Sequence, residues 1–361
     1  MNNLIFKFKT LKNSPLPFYR LIFLIIGRIF LKIIFVLGSL IDFLFFDKIN
    51  KIKPVFLIGH PRSGTTFLHR FLLEVNPKYR GMYLWEMLVP YLSLRIIFKP
   101  IIKLIAEKSK KKLYDTRIHT TGLFKAETDD VALFFKSFEG LFFWLYFGAF
   151  KKYDNITSLE NELNLISNIK KTLENLNILH SKNLTEKIHQ GKIMFSKSFS
   201  LILDIEKLIS SFPSAKVILL LRDPVEVIPS SMSLTRNVLQ NLYDFDKLDD
   251  DIKNNYYNNL YSASIIFYKS LHNTIQKAKN NADSILLIQY KNLKTDFSNE
   301  FNRLIDFLEI NLSDEFRKKI ISQESKQKEY KSQHKYSLEE FGLSEQKIIT
   351  DFNFIYENYN V

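Results

Sequence analysis

Apolar residues are distributed differently before and after about residue 50. FYRLIFLIIGRIFLKIIFVLGSLIDFLFF, Phe18 to Phe46, is a nearly continuous apolar run, long enough to cross a bilayer. Arg28 and Lys32 fall in its middle, where a lone spanning helix resists charge. At about 100° per residue, Arg20, Gly27, Arg28, Lys32, Gly38, Ser39 and Asp42 gather on one side. The pattern predicts a helix with a narrow polar stripe lying in a membrane interface, its basic residues toward lipid head groups. It equally suits a helix packed on the protein's own core or on a partner subunit. No small-residue cleavage site follows the run, which argues against a cleaved signal peptide.

Pro54 marks the passage to shorter elements. VFLIG from Val55 suits a buried parallel strand, and TTFLHRFLLE after Gly64 has helical spacing, with Phe67, Phe71 and Val75 on one side. Val217 to Leu221 is a second apolar strand, followed by Arg222 and an Asp-Pro turn. LSLRIIFKPIIKLI from Leu92 and VALFFKSFEGLFFWLYFGAF from Val131 read as helices that are mostly core, with some of their surface suited to lining an apolar cleft. The pattern predicts an α/β fold with a central parallel sheet flanked by helices over residues 51–361, preceded by a membrane-associated segment over residues 1–50.

Composition changes this picture little. The 33 Phe and 46% hydrophobic residues exclude a disordered chain, but codon bias in an AT-rich genome explains them as readily as a membrane does. A net charge of +13 calls for anionic partners such as a nucleotide or a lipid surface, and no nucleic-acid-binding signature accompanies it. With no cysteine, disulfides, thiolate catalysis and Cys-based zinc sites are excluded. A cytoplasmic, peripherally membrane-associated protein is expected, with a single membrane pass as the alternative.

The chemistry begins at LIGHPRSGTTF. Gly59 and Gly64 have the GxxxxG spacing of a phosphate loop between strand and helix, where backbone N–H groups and a helix N-terminus face an anion. Thr65 occupies the position where nucleotide-hydrolysing loops carry lysine. Arg62 offers a cation within the loop instead, beside the hydroxyls of Ser63, Thr65 and Thr66. Downstream, Arg222 ends a strand and Ser230 lies in the next helix, a pair able to hold a second phosphate. A cofactor with two separated phosphates follows. A P-loop kinase or NTPase remains an alternative, with Asp223 holding magnesium, although the missing lysine opposes it. A non-catalytic membrane-associated nucleotide-binding protein is the other.

PRSGTT at Pro61 to Thr66 together with RDPVEVIPS at Arg222 to Ser230 resembles the paired signature of sulfotransferases that use 3′-phosphoadenosine 5′-phosphosulfate (PAPS). The likeness runs from about Pro54 onward, and YKSQHKYSLEEFGLS at Tyr330 to Ser344 resembles the bacterial branch. The resemblance implies a P-loop NTPase-like sulfotransferase fold, PAPS as sulfuryl donor and no required metal. It implies that Arg62, Ser63, Gly64, Thr65 and Thr66 wrap the 5′-phosphosulfate, and that Arg222 and Ser230 hold the 3′-phosphate. GKIMFSKSF resembles the family's third strand, placing Lys197 near the transferring group; Phe199 stands where the cytosolic branch has its histidine base. Glu86 in YLWEMLVP resembles the base of tyrosylprotein sulfotransferases, with His119 and Glu127 in reserve. Lys331 and His334 are expected to close over the cofactor. The implied reaction moves a sulfuryl group to a hydroxyl or amine of a small-molecule, lipid or glycan acceptor.

Overall fold

A computed structural model describes residues 8, 10–45, 54–89, 91–108, 123–124, 130, 140–166, 192–278, 283–329 and 337–361. In chain order the main elements are α1 (Phe18–Phe45), β1 (Val55–Gly59), α2 (Thr65–Val75), β2 (Tyr79–Gly81), α3 (Leu84–Leu88), α4 (Leu92–Lys108), α5 (Gly140–Tyr146) and β3 (Ile193–Lys197). They continue through β4 (Lys216–Leu221), α6 (Pro224–Tyr243), α7 (Asp250–Ala278), β5 (Ile285–Gln289), α8 (Tyr290–Thr295) and α9 (Phe297–Phe307).

The five strands form one parallel sheet in the order β2-β3-β1-β4-β5. β1 and β4 are apolar along their length because helices cover both faces of such a sheet and leave no solvated side to alternate toward. On one face Leu57, Phe195, Leu220 and Ile288 pack against Leu68 and Leu72 of α2 and Phe301 and Leu304 of α9. On the other, Phe56 meets Phe212 edge-on at 5.5 Å. The register pairs Leu57 with Lys197, Gly59 with Leu220 and Leu221 with Gln289, so the carboxyl ends of β1, β3, β4 and β5 share one edge. In open α/β sheets ligands bind beyond that edge, where the strand order reverses.

The chain divides into two compact units. Lys53–Gly81, Ile193–Thr235 and Leu260–Val361 form the unit that carries the sheet. Met1–Ile52, Met82–Lys192 and Arg236–Asn259 form the other, so one division falls between residues 52 and 53, beside the expected boundary, while two later stretches of the chain join the N-terminal segment.

The polar stripe of α1 is divided: Arg20, Gly27, Lys32 and Ser39 are exposed, Arg28 and Asp42 half-buried and Gly38 buried. Asp42 accepts hydrogen bonds from the backbone N–H groups of Leu92 (2.7 Å) and Ser93 (2.9 Å) at the start of α4. Leu21, Leu24 and Ile25 of α1 pack on Phe143 and Phe147. One expectation needs correction: α4 is core only at Leu92, Ser93, Leu94 and Arg95, and from Ile96 onward its apolar side chains are largely exposed. The described part of the later apolar run, residues 140–150, is core apart from Leu145 and Tyr146.

Candidate active site

The loop after β1 turns sharply because Ser63 N–H donates to the His60 carbonyl at 3.0 Å. Arg62 takes a left-handed φ of 73°, unusual for a non-glycine residue, and Gly64 follows at φ 100°. Gly59 and Gly64 are required for different reasons. A Cβ on Gly59 would come within 2.8 Å of the Leu220 carbonyl oxygen, while one on Gly64 would lie 2.6 Å from the Tyr290 ring as well as in a strained backbone. Gly64 gives α2 no side-chain cap, and the N–H groups of its first turn have no intrahelical partners.

Two arginines meet here. Arg62 Nε donates to Ser230 Oγ at 2.9 Å, and Arg222 Nη1 donates to the Arg62 carbonyl at 3.0 Å. Arg222 is fixed from three sides. Its guanidinium lies 4.1 Å from the centre of the Tyr290 ring, it pairs with Glu226 at 2.7 Å, and its carbonyl accepts from Tyr268 Oη at 2.9 Å. Lys197, at the end of β3, is buried and donates from Nζ to Thr66 Oγ1 at 2.8 Å. Beneath it His69 stacks on Phe195 and is held near pKa 3, first by burial and then by the Lys197 charge. Ser63 is fully buried and its Oγ has no hydrogen-bond partner, a costly state for a hydroxyl.

Arg62, Ser63, Gly64, Thr65, Thr66, Lys197, Arg222 and Ser230 are thus brought to one strand edge, all within the sheet-bearing unit. Asp223 does not stand free for a metal: its Oδ1 accepts from Val225 N–H (2.9 Å) and Tyr356 Oη (2.7 Å), capping α6. Glu86 belongs to the other unit. It is buried in α3, where its Oε2 accepts the Tyr83 N–H at 3.2 Å and its carbonyl accepts Arg95 Nη2 at 2.7 Å. His119, Glu127, Lys331 and His334 lie outside the described residues. Tyr290 is a site residue that carries no motif of its own; the signal for it is the rule that exposes Arg222, a side chain immediately after an apolar strand, here ILLIQ.

Strand, glycine loop and helix, with a second cation on the adjacent strand, define an anion-binding α/β protein of the P-loop type. Residues 54–314 match the model of the sulfotransferase family, and the chain belongs to that family. It is 27% identical over 221 residues to the omega-hydroxy-beta-dihydromenaquinone-9 sulfotransferases of Mycobacterium bovis and Mycobacterium tuberculosis, over 56% of this chain and 51% of each relative. The chain thus matches about half the length of these curated relatives. Two solved structures share its fold: sulfotransferase STF1 from Mycobacterium tuberculosis H37Rv (TM-score 0.59, 17% identity, 85% of this chain and 78% of that one) and sulfotransferase STF9 from Mycobacterium avium (0.59, 18%, 86% and 78%).

Proposed function

We propose that this protein transfers a sulfuryl group from PAPS to a hydroxyl or amine of a hydrophobic, lipid-like acceptor at a membrane surface. The observation that carries this reading is the convergence of Arg62, Ser230 and Arg222 at the adjoining ends of β1 and β4. Two cations there suit a nucleotide with a phosphate at each end of its ribose. The unpartnered Ser63 hydroxyl and the sharp turn through Arg62 and Gly64, both at positive φ, support the same fit.

In this reading Arg62 and Ser63 to Thr66 hold the 5′ end, and Arg222 and Ser230 the 3′-phosphate. The donor supplies an activated sulfuryl group whose bond to phosphate oxygen breaks as the acceptor's bond to sulfur forms. Lys197, fixed on Thr66, places its charge at the end of β3, where negative charge grows on the oxygens in the transition state. Glu86 is assigned the acceptor proton. A hydrophobic acceptor is supported by the relatives named for omega-hydroxy-beta-dihydromenaquinone-9 and by α1, which is long and apolar enough to cross a membrane.

Calorimetry with 3′-phosphoadenosine 5′-phosphate (PAP), set against ATP with magnesium, tests this reading. Micromolar binding of the first and none of the second is expected, corresponding to about 8 kcal/mol. The reverse result would replace the proposal with an NTPase.

A further inference from the structure

We infer that α4 is a second membrane-insertion helix, and that α1 and α4 together present one apolar surface that lies in the plane of an anionic lipid leaflet. This rests on the proposed membrane setting and extends it beyond residues 1–50.

The two helices are built as a pair. Asp42 near the end of α1 accepts both N–H groups at the start of α4, and Ser93 Oγ donates to the Gly38 carbonyl at 3.3 Å. Gly38 allows the close crossing, since a Cβ there would meet Leu94 Cγ at 2.6 Å. Phe35 and Tyr91 extend the contact, with ring centres 6.1 Å apart. A carboxylate in an apolar helix is costly in lipid, but here it is bonded twice to the start of α4.

Away from this seam both helices are greasy and bare. On α1 Phe23 is 77% and Phe43 77% exposed, with Ile26, Phe30 and Leu37 between them. On α4 Ile97, Ile101, Leu104 and Ile105 are about half exposed and share one side at helical spacing. An apolar patch this continuous exceeds what monomeric soluble proteins leave in water. The charges select the occupant. Over α1 and α4 the charged residues are Arg20, Arg28, Lys32, Arg95, Lys99, Lys103 and Lys108 against the acids Asp42 and Glu107, and of these Arg95 is buried. Lys99 and Lys103 are exposed on the side of α4 opposite Ile97 and Ile101. Apolar side chains on one side and lysines on the other form the pattern of a helix at a negatively charged lipid surface.

A lone transmembrane span does not fit this arrangement. Along one side α1 is held by Phe143 and Phe147 near its start and by α4 near its end, so only part of its circumference is open to lipid.

The native chain has no cysteine, so single substitutions can be labelled cleanly. Phe30→Cys in α1 and Ile101→Cys in α4 would each carry a polarity-sensitive fluorophore on the full chain, mixed with phosphatidylcholine vesicles containing phosphatidylglycerol. Both labels are expected to shift to the blue and to be quenched by a nitroxide on the lipid tails. A response at Phe30→Cys alone would overturn the role of α4 while leaving α1 as an anchor, and a response at neither would remove the membrane setting. Shifts without vesicles that grow with protein concentration would assign the surface to a second copy of the chain and overturn the proposal. In parallel, I97E/I101E should lower recovery by vesicle flotation about tenfold. Circular dichroism and a thermal midpoint equal to wild type in that variant would show that the fold is intact. If PAP fails to bind wild-type protein that still floats, the sulfotransferase reading falls and this one stands.

Discussion

Arg62 Nε and Ser230 Oγ stand 2.9 Å apart, tying the loop after β1 to the helix after β4 across 168 residues of sequence. Arg222 completes the junction by donating to the Arg62 carbonyl. Among the described residues Arg62 has no carboxylate partner, whereas Arg222 shares its charge with Glu226. Like charges gathered at one strand edge raise the energy of the free protein, and an arriving anion relieves that cost.

Arg62→Ala should weaken PAP binding about a hundredfold, and Ser230→Ala about tenfold, as expected for charge-assisted and neutral hydrogen bonds. Because the two side chains touch, the double variant should deviate from additivity by at least about 0.5 kcal/mol in calorimetry. Strict additivity would mean that the contact has no part in binding.

Tyr290→Ala removes the ring beneath Arg222 and the surface facing Gly64. A loss of about 1 kcal/mol in PAP affinity is expected, with a smaller effect on thermal stability. Gly64→Ala should destabilise the protein by about 1–3 kcal/mol, since φ 100° and the Tyr290 ring both oppose a side chain. Combining the two substitutions should recover only part of that loss, because the backbone strain remains.

Acid should destabilise the sheet-bearing unit through two histidines. Burial lowers His60 from 6.5 to about 4, and burial with the Lys197 charge lowers His69 to about 3. Above pH 6.5 both are neutral folded and unfolded, and they add no pH dependence. Below it the unfolded chain binds protons that the native state refuses, so stability falls from pH 6.5 toward 4 for His60 and toward 3 for His69. Thermal midpoints measured between pH 7 and 4.5 should decline, and His69→Gln should flatten the decline; an unchanged profile would contradict its buried neutral state.

Glu86→Gln should lower turnover at least about a hundredfold while leaving PAP affinity unchanged. Its side chain also receives the Tyr83 N–H, a bond that glutamine can keep through its carbonyl oxygen. Turnover near wild type would take Glu86 out of the mechanism.

Replacing Asp42 with alanine removes the acceptor for two N–H groups of α4, and about 1 kcal/mol of stability should go with it. Asp42→Asn should retain only part of it, since its one amide oxygen can accept from one N–H while its NH2 faces the other. Chemical denaturation would distinguish the two variants.

The anion loop was legible in the sequence because its requirements are local: Gly59 and Gly64 at fixed spacing between an apolar strand and a helix specify one turn. Arg222 was legible for the same reason, standing directly after a strand. Tyr290 also follows an apolar strand directly, but that position places it only at the strand edge; that its ring lies under Arg222 and against Gly64 depends on the order of strands in the sheet. The exposure of α4 was hidden too, since an apolar stretch reads as core whether protein or lipid covers it. Nor could the sequence foretell that Met82–Lys192 would join the N-terminal segment, because that unit is assembled from three separated stretches.

The place of Tyr290 has a consequence during synthesis. The loop proposed to hold the nucleotide leaves the ribosome early, but the wall behind Gly64 and the platform under Arg222 arrive only with the strand that precedes Tyr290. Until then the nascent chain carries both arginines without a finished receptor, so nucleotide affinity should report whether the last strand has docked.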